Sequence, residues 1–102
     1  MIAAAPGDYG KPRPAVVVQN DLLNGRYPSV VLCPCTSETD LASDLRPLLQ
    51  PSRQNGLKVP SRVMVDKVFS VAALKASPPV GLLNASEMES IDRALRIVLD
   101  LD

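Results

Sequence analysis

The sequence predicts a mainly β domain of the α+β class, short antiparallel strands followed by one C-terminal amphipathic helix. Three observations predict it. Ten prolines fall in 102 residues, about twice the usual frequency of roughly 5%, and they stand between apolar runs rather than inside a helical pattern. The runs themselves, Ala15-Val16-Val17-Val18 and Val30-Val31-Leu32, are short and β-branched, as pleated strands prefer. Only the final segment changes its apolar period to threes and fours.

In chain order, Met1-Ile2-Ala3-Ala4-Ala5 is apolar but has no charged leader and meets Pro6-Gly7 after five residues, so it does not read as a signal peptide. A strand follows over 15–19, opened by Lys11-Pro12-Arg13-Pro14 and closed by Asn20-Asp21. A second, over 29–33, comes after the turn-like Asn24-Gly25-Arg26-Tyr27-Pro28, and the two are expected to pair antiparallel. Neither alternates cleanly, which predicts burial on both faces. Residues 37–44 are polar and predict an exposed loop with one short helical turn. A third strand is expected over 45–49, a turn at Gln54-Asn55-Gly56-Leu57, and a fourth strand over 63–69 that carries Asp66-Lys67 after three apolar residues. Val80 to Leu83 reads as a short edge strand. Met88, Ile91, Leu95, Val98 and Leu99 then mark a helix over 86–100, with Ser86 and Glu89 at the spacing of a capping box.

Length and composition fix the scale of the molecule. The chain reads as one domain over 1–102, and 46% hydrophobic residues suffice for one modest core. The three aromatic residues, Tyr9, Tyr27 and Phe69, are too few for a base-stacking platform. No histidine is present, which removes the commonest general base and metal ligand. Two cysteines, Cys33 and Cys35, make no disulfide framework and fit neither a redox nor a zinc spacing, so they read as small core residues. Eleven basic and eleven acidic residues cancel, yet the first 83 residues hold nine basic against six acidic. That imbalance permits a polyanion groove on the sheet. No run approaches the roughly 18 apolar residues of a membrane span, and the expected location is the cytoplasm.

Four places carry candidate chemistry. Arg13 sits between two prolines at a strand entrance, where a rigid backbone supports a guanidinium suited to phosphate; the plainer reading is a surface arginine. Thr36 and Ser37 end a buried strand after Cys33-Pro34-Cys35, where hydroxyls either hold a phosphate oxygen or satisfy their own backbone. Asp66 pairs with a cation or faces a cleft, and without histidine a carboxylate is the natural general base. Asp8, in Gly7-Asp8-Tyr9-Gly10, is the other carboxylate, or a turn residue.

Taken in order, the segments at 7–21, 33–37, 55–61 and 65–68, followed by one amphipathic helix, resemble the MazF/PemK family of toxins. The Arg-Pro-Ala-Val-Val-Val segment with a Thr-Ser strand end downstream carries most of the resemblance. It implies a small twisted SH3-like β-barrel with a C-terminal helix, a homodimer whose groove binds single-stranded RNA, and no metal or cofactor. It implies a sequence-specific endoribonuclease that cuts mRNA to 2′,3′-cyclic phosphate and 5′-hydroxyl ends and is neutralised by a cognate antitoxin. By position, Arg13 and Thr36 match the family's catalytic arginine and hydroxyl. Asp66 matches the acid some members use as base, and Asp8 falls near a loop glutamate of others. Lys11, Arg13, Ser37 and Lys67 are the implied RNA contacts.

Two departures stand out. Relatives start with a charged Arg-Gly-Asp or Arg-Gly-Glu and a complete first strand, where this chain offers about half of one and so an exposed sheet edge. Some also place an arginine two residues before the aspartate, where this chain has Met64. Two other readings share the fold: a poison of DNA gyrase, whose tryptophan-glycine-isoleucine tail is replaced here by Leu99-Asp100-Leu101-Asp102, and a catalytically inactive dimeric binding module.

Overall fold

A computed structural model of the chain describes residues 2–6, 12–40, 43–76 and 79–101. Among these residues six strands, β1 (Ile2–Pro6), β2 (Pro12–Val17), β3 (Ser29–Thr36), β4 (Leu48–Leu49), β5 (Ser61–Val63) and β6 (Phe69–Ala72), precede one helix, α1 (Ala85–Val98). All strand pairs are antiparallel, in the order β1-β2-β3-β5-β4, with β6 also on β3. The sheet curls around its apolar contents into a half-barrel.

β3 is the organising strand. Along one edge it pairs with β2, Ala15 opposite Pro34 and Val17 opposite Leu32. Along the other it takes β6 at its start, Ser29 opposite Ala72, and β5 at its end, Thr36 opposite Arg62. The expected single strand over 63–69 is therefore two strands separated by a 3-10 turn at Val65–Lys67. The register offers the reason: carried back from β6, the pairing would put Cys35 opposite Asp66, whereas β5 puts it opposite Val63. The segment loses three residues of register, and the turn takes up that length as a large bulge does. It moves Asp66 out of the ladder.

Strand alternation separates two apolar clusters. Val16, Cys33 and Cys35 join Ile2, Leu49, Leu57, Val63, Val65, Ile91 and Ala94 in the main core under α1. Ala15, Val17 and Leu32, one residue out of phase, gather with Val30, Phe69 and Val71 in a smaller cluster. Both central strands are thus buried on both faces, as their unbroken apolar runs predict. Both thiols are free and buried, and burial pushes Cys33 up to about 11 and Cys35 up to about 12, so they behave as small apolar side chains.

Other expectations change in detail. The strand over 45–49 shrinks to Leu48–Leu49 because Ser43 to Arg46 form a turn, Arg46 N–H donating to the Ser43 carbonyl at 3.1 Å. No helical turn occurs among the described residues of 37–44. At 80–83 only Gly81 bridges, covering the outer edge of β1 at Ile2; a Cβ there would stand 2.0 Å from the Asn55 carbonyl oxygen, so only glycine fits. β1 itself pairs with β2 over all five residues.

The helix is capped by Asn84, not Ser86. Asn84 Oδ1 accepts from Glu87 N–H at 2.8 Å, and Glu87 Oε1 accepts from Asn84 N–H at 2.9 Å. The box moves two residues earlier because Glu87 is also held from outside, its Oε2 accepting from Asn55 Nδ2 at 3.1 Å. Asn55 is fully buried, and its side chain also donates to the Gln50 carbonyl and accepts from Ser52 and Leu57 N–H.

Candidate active site

The β2–β3 register sets two of the expected residues at one end of adjacent strands. Each pair steps one residue back on β2 and one forward on β3, from Val17 with Leu32 to Ala15 with Pro34, where the pairing ends; Arg13 and Thr36 each lie two residues further along, at the same end of the two strands. Alternation puts Arg13 in phase with Ala15 and Val17, and Thr36 in phase with Leu32 and Pro34. Both therefore share the sheet face of the smaller cluster, away from α1. Arg13 is exposed and Thr36 half-buried. Thr36 Oγ1 accepts from Glu38 N–H at 3.1 Å, so the hydroxyl satisfies local backbone and keeps its own proton to donate. Ser37 follows, exposed, at the start of the loop.

Asp66 and Lys67 lie elsewhere. Their turn begins beside β3, Met64 N–H donating to the Pro34 carbonyl at 2.8 Å, and packs on α1, along the opposite edge of β3 from Arg13. Asp66 Oδ1 and Oδ2 accept from Arg46 Nε and Nη2 at 3.0 and 2.9 Å. This bidentate pair, above all its hydrogen bonds, holds the Asp66 carboxyl below its ordinary range and raises Arg46 in turn. Asp66 in this state is a firmly ionised partner with weakened basicity. The structure thus brings Arg13, Thr36 and Ser37 to one strand end and places Asp66 and Lys67 in a separate cluster with Arg46. Asp8 and Lys11 lie outside the described residues.

Sequence reasoning missed two arginines. Arg46, within the segment expected as a strand, supplies the guanidinium that Met64 does not. Arg62, level with Thr36 on β5, donates from Nε to the Thr39 carbonyl at 3.2 Å and from Nη1 to the Arg46 carbonyl at 2.8 Å. The signals were slight: Arg46 stands beside Pro47 at a loop boundary, and Arg62 follows Pro60 by two residues.

Comparison with known proteins places the chain in a family. Residues 2–99 match the model of the PemK-like, MazF-like toxins of type II toxin-antitoxin systems. A probable endoribonuclease MazF of Mycolicibacterium smegmatis is 38% identical over 100 residues, 97% of this chain and 91% of that one. Endoribonuclease MazF9 of Mycobacterium tuberculosis is 31% identical over 94 residues, 87% of this chain and 79% of the relative. Among solved structures, the Mycobacterium tuberculosis toxin MazF-mt6 superposes with a TM-score of 0.85 at 24% identity, over 99% of this chain and 97% of the other. A mycobacterial endoribonuclease in complex with its cognate antitoxin gives 0.81 at 21% identity, over 99% and 92%. These structures share the fold, a curled antiparallel sheet with one C-terminal helix.

Proposed function

We propose, from the premise that the chain belongs to the PemK-like, MazF-like toxin family of type II toxin-antitoxin systems, that it is the endoribonuclease toxin of such a pair. It acts on single-stranded RNA in the cytoplasm, as a homodimer, and is restrained by a cognate antitoxin. The names of its relatives support the activity. The observation that carries the site assignment is the β2–β3 register, Ala15 opposite Pro34, from which Arg13 and Thr36 extend at the same end of adjacent strands.

Cleavage by the neighbouring 2′-hydroxyl asks for three things. A base removes the hydroxyl proton, donors stabilise the negative phosphorane formed as O2′ attacks phosphorus, and a proton reaches the departing 5′ oxygen. Arg13 and the Thr36 hydroxyl meet the second need, a planar fork and a fixed hydroxyl offering several donors to the equatorial oxygens. Arginine, with a pKa above about 12, gives up no proton and works by charge. Ser37, Lys11 and Lys67 contact the RNA backbone. The base is a carboxylate, Asp66 or Asp8. Asp66 serves only by acting within its pair with Arg46, and its lowered proton affinity supports Asp8 as the alternative. Asp8→Asn and Asp66→Asn separate the two: the base is the residue whose loss removes the acid limb of the pH–rate profile.

The test incubates purified wild type and Arg13→Ala with a long single-stranded RNA in EDTA, then maps cut positions and end groups. Discrete cuts with 2′,3′-cyclic phosphate and 5′-hydroxyl ends, absent in the variant, are expected. No cutting by the folded dimer would overturn the reading and leave the gyrase poison or an inactive binding module.

A further inference from the structure

The loop between β3 and β4 begins at Thr36 and Ser37, so whatever sets its shape also sets the floor of the proposed site. Its described residues include Glu38, Asp40 and Asp44, all exposed, while its one arginine, Arg46, is engaged by Asp66. Such a surface repels phosphate and offers acceptors, which suits it to the exocyclic amino groups of bases. It is fastened in two places by one side chain. Arg62, half-buried on β5, spans the loop's neck by donating to the carbonyls of Thr39 and Arg46, seven residues apart.

We propose that Arg62 is a positioning residue: by holding the Thr39 and Arg46 carbonyls together it fixes the two arms of the loop, residues 37–40 and 43–47, in the geometry that selects which RNA sequence reaches Thr36. The inference rests on the ribonuclease reading above. The guanidinium is suited to the task because its fork is planar and rigid, so two carbonyls bound to different nitrogens are held at a set separation. A lysine at 62 keeps the charge, and hence the attraction for RNA, but its single flexible ammonium cannot fix both carbonyls.

Arg62→Lys tests this with two readouts. The first maps cuts on a long mixed-sequence RNA. The expected result is a preference between the best and next-best sites reduced about tenfold, with kcat at the best site lowered, KM little changed and 5′-hydroxyl ends retained. The pattern is read on whatever fraction is folded, so a loss of Tm does not obscure it. The second is hydrogen exchange at the amides of Glu38, Leu45 and Arg46, expected to quicken about tenfold while the helix amides keep their protection. An unchanged cut pattern overturns the proposal, whether the variant is as stable as wild type or much less so, since Arg62 would then serve the fold alone. Unchanged loop exchange overturns it as well. If wild type cuts no RNA, the ribonuclease reading fails, and the exchange measurement still decides whether Arg62 holds the loop.

Discussion

Asn55 and Arg62 each fasten a loop by donating to backbone carbonyls, in surroundings of opposite kind. Asn55 is fully buried, binds groups in its own loop, and reaches across to Glu87, which caps α1. Arg62 is half-buried, and the loop it holds is turned to solvent. A buried amide with all its bonds made cannot lose one without leaving polar groups stranded away from water. A guanidinium at the surface surrenders its bonds to water at little cost in stability. One device therefore reports on whether the molecule folds, and the other on how the loop after Thr36 is held.

Substitutions on either side of this contrast test it. The largest effect is expected from Arg13→Ala, on the solvent side. RNA cleavage should fall by about 10²–10³, as when a donor to a developing anion is removed, with Tm unchanged, because Arg13 is exposed. A large fall in Tm would break the division between folding and function. Next comes Asn55→Ala, which strands the Gln50 carbonyl and the Ser52 and Leu57 amides and unhooks Glu87. It should cost about 3 kcal/mol, lowering Tm by roughly 10 °C or more; a stability equal to wild type would sink the comparison.

Smaller effects sharpen it. The Asp66–Arg46 pair is exposed at 39% and 26% of its side chains, so it contributes about 1 kcal/mol or less. Its sign is fixed: the folded state lowers the Asp66 pKa, so the contribution is present above the ordinary carboxylate value near about 4 and is lost as pH falls through the lower folded value. Asp66→Asn should open a small gap in Tm at pH 7 that closes in acid, and a gap that grew in acid would contradict the pairing. The least effect belongs to Glu89→Gln, which removes a largely exposed pair with Arg93 at 3.2 Å and should cost about 0.3–0.5 kcal/mol, vanishing in high salt.

How much of this was legible in the sequence depended on whether the deciding partner was local. The unbroken runs around Val16 and Val31 announced two-sided burial, and the 3.6-residue period announced α1. Ser86 with Glu89 and Asn84 with Glu87 satisfy the same capping spacing, and what separates them is Asn55, more than thirty residues away in the chain. The 3-10 turn at Val65–Lys67 was hidden because apolar residues continue on both sides of it, and only the change of partner strand beside β3 demands the extra length. Arg46 and Arg62 bond to groups 16 to 23 residues distant, at spacings no periodic pattern contains. The grouping of Arg13 with Thr36 rests on likeness to a family, and the β2–β3 register sets both at one end of adjacent strands.

Ile2 and Ile91 lie in the same core, and Val80 and Gly81 bond to Ile2 from between them. A core that encloses both early and late residues is built from non-local contacts, which form slowly and together. During synthesis β1, β2 and β3 emerge with no floor beneath them, and Ile91 is among the last residues needed to lay it. Until α1 is made, β2 and β3, the strands that carry Arg13 and Thr36, lack the helix that closes their core.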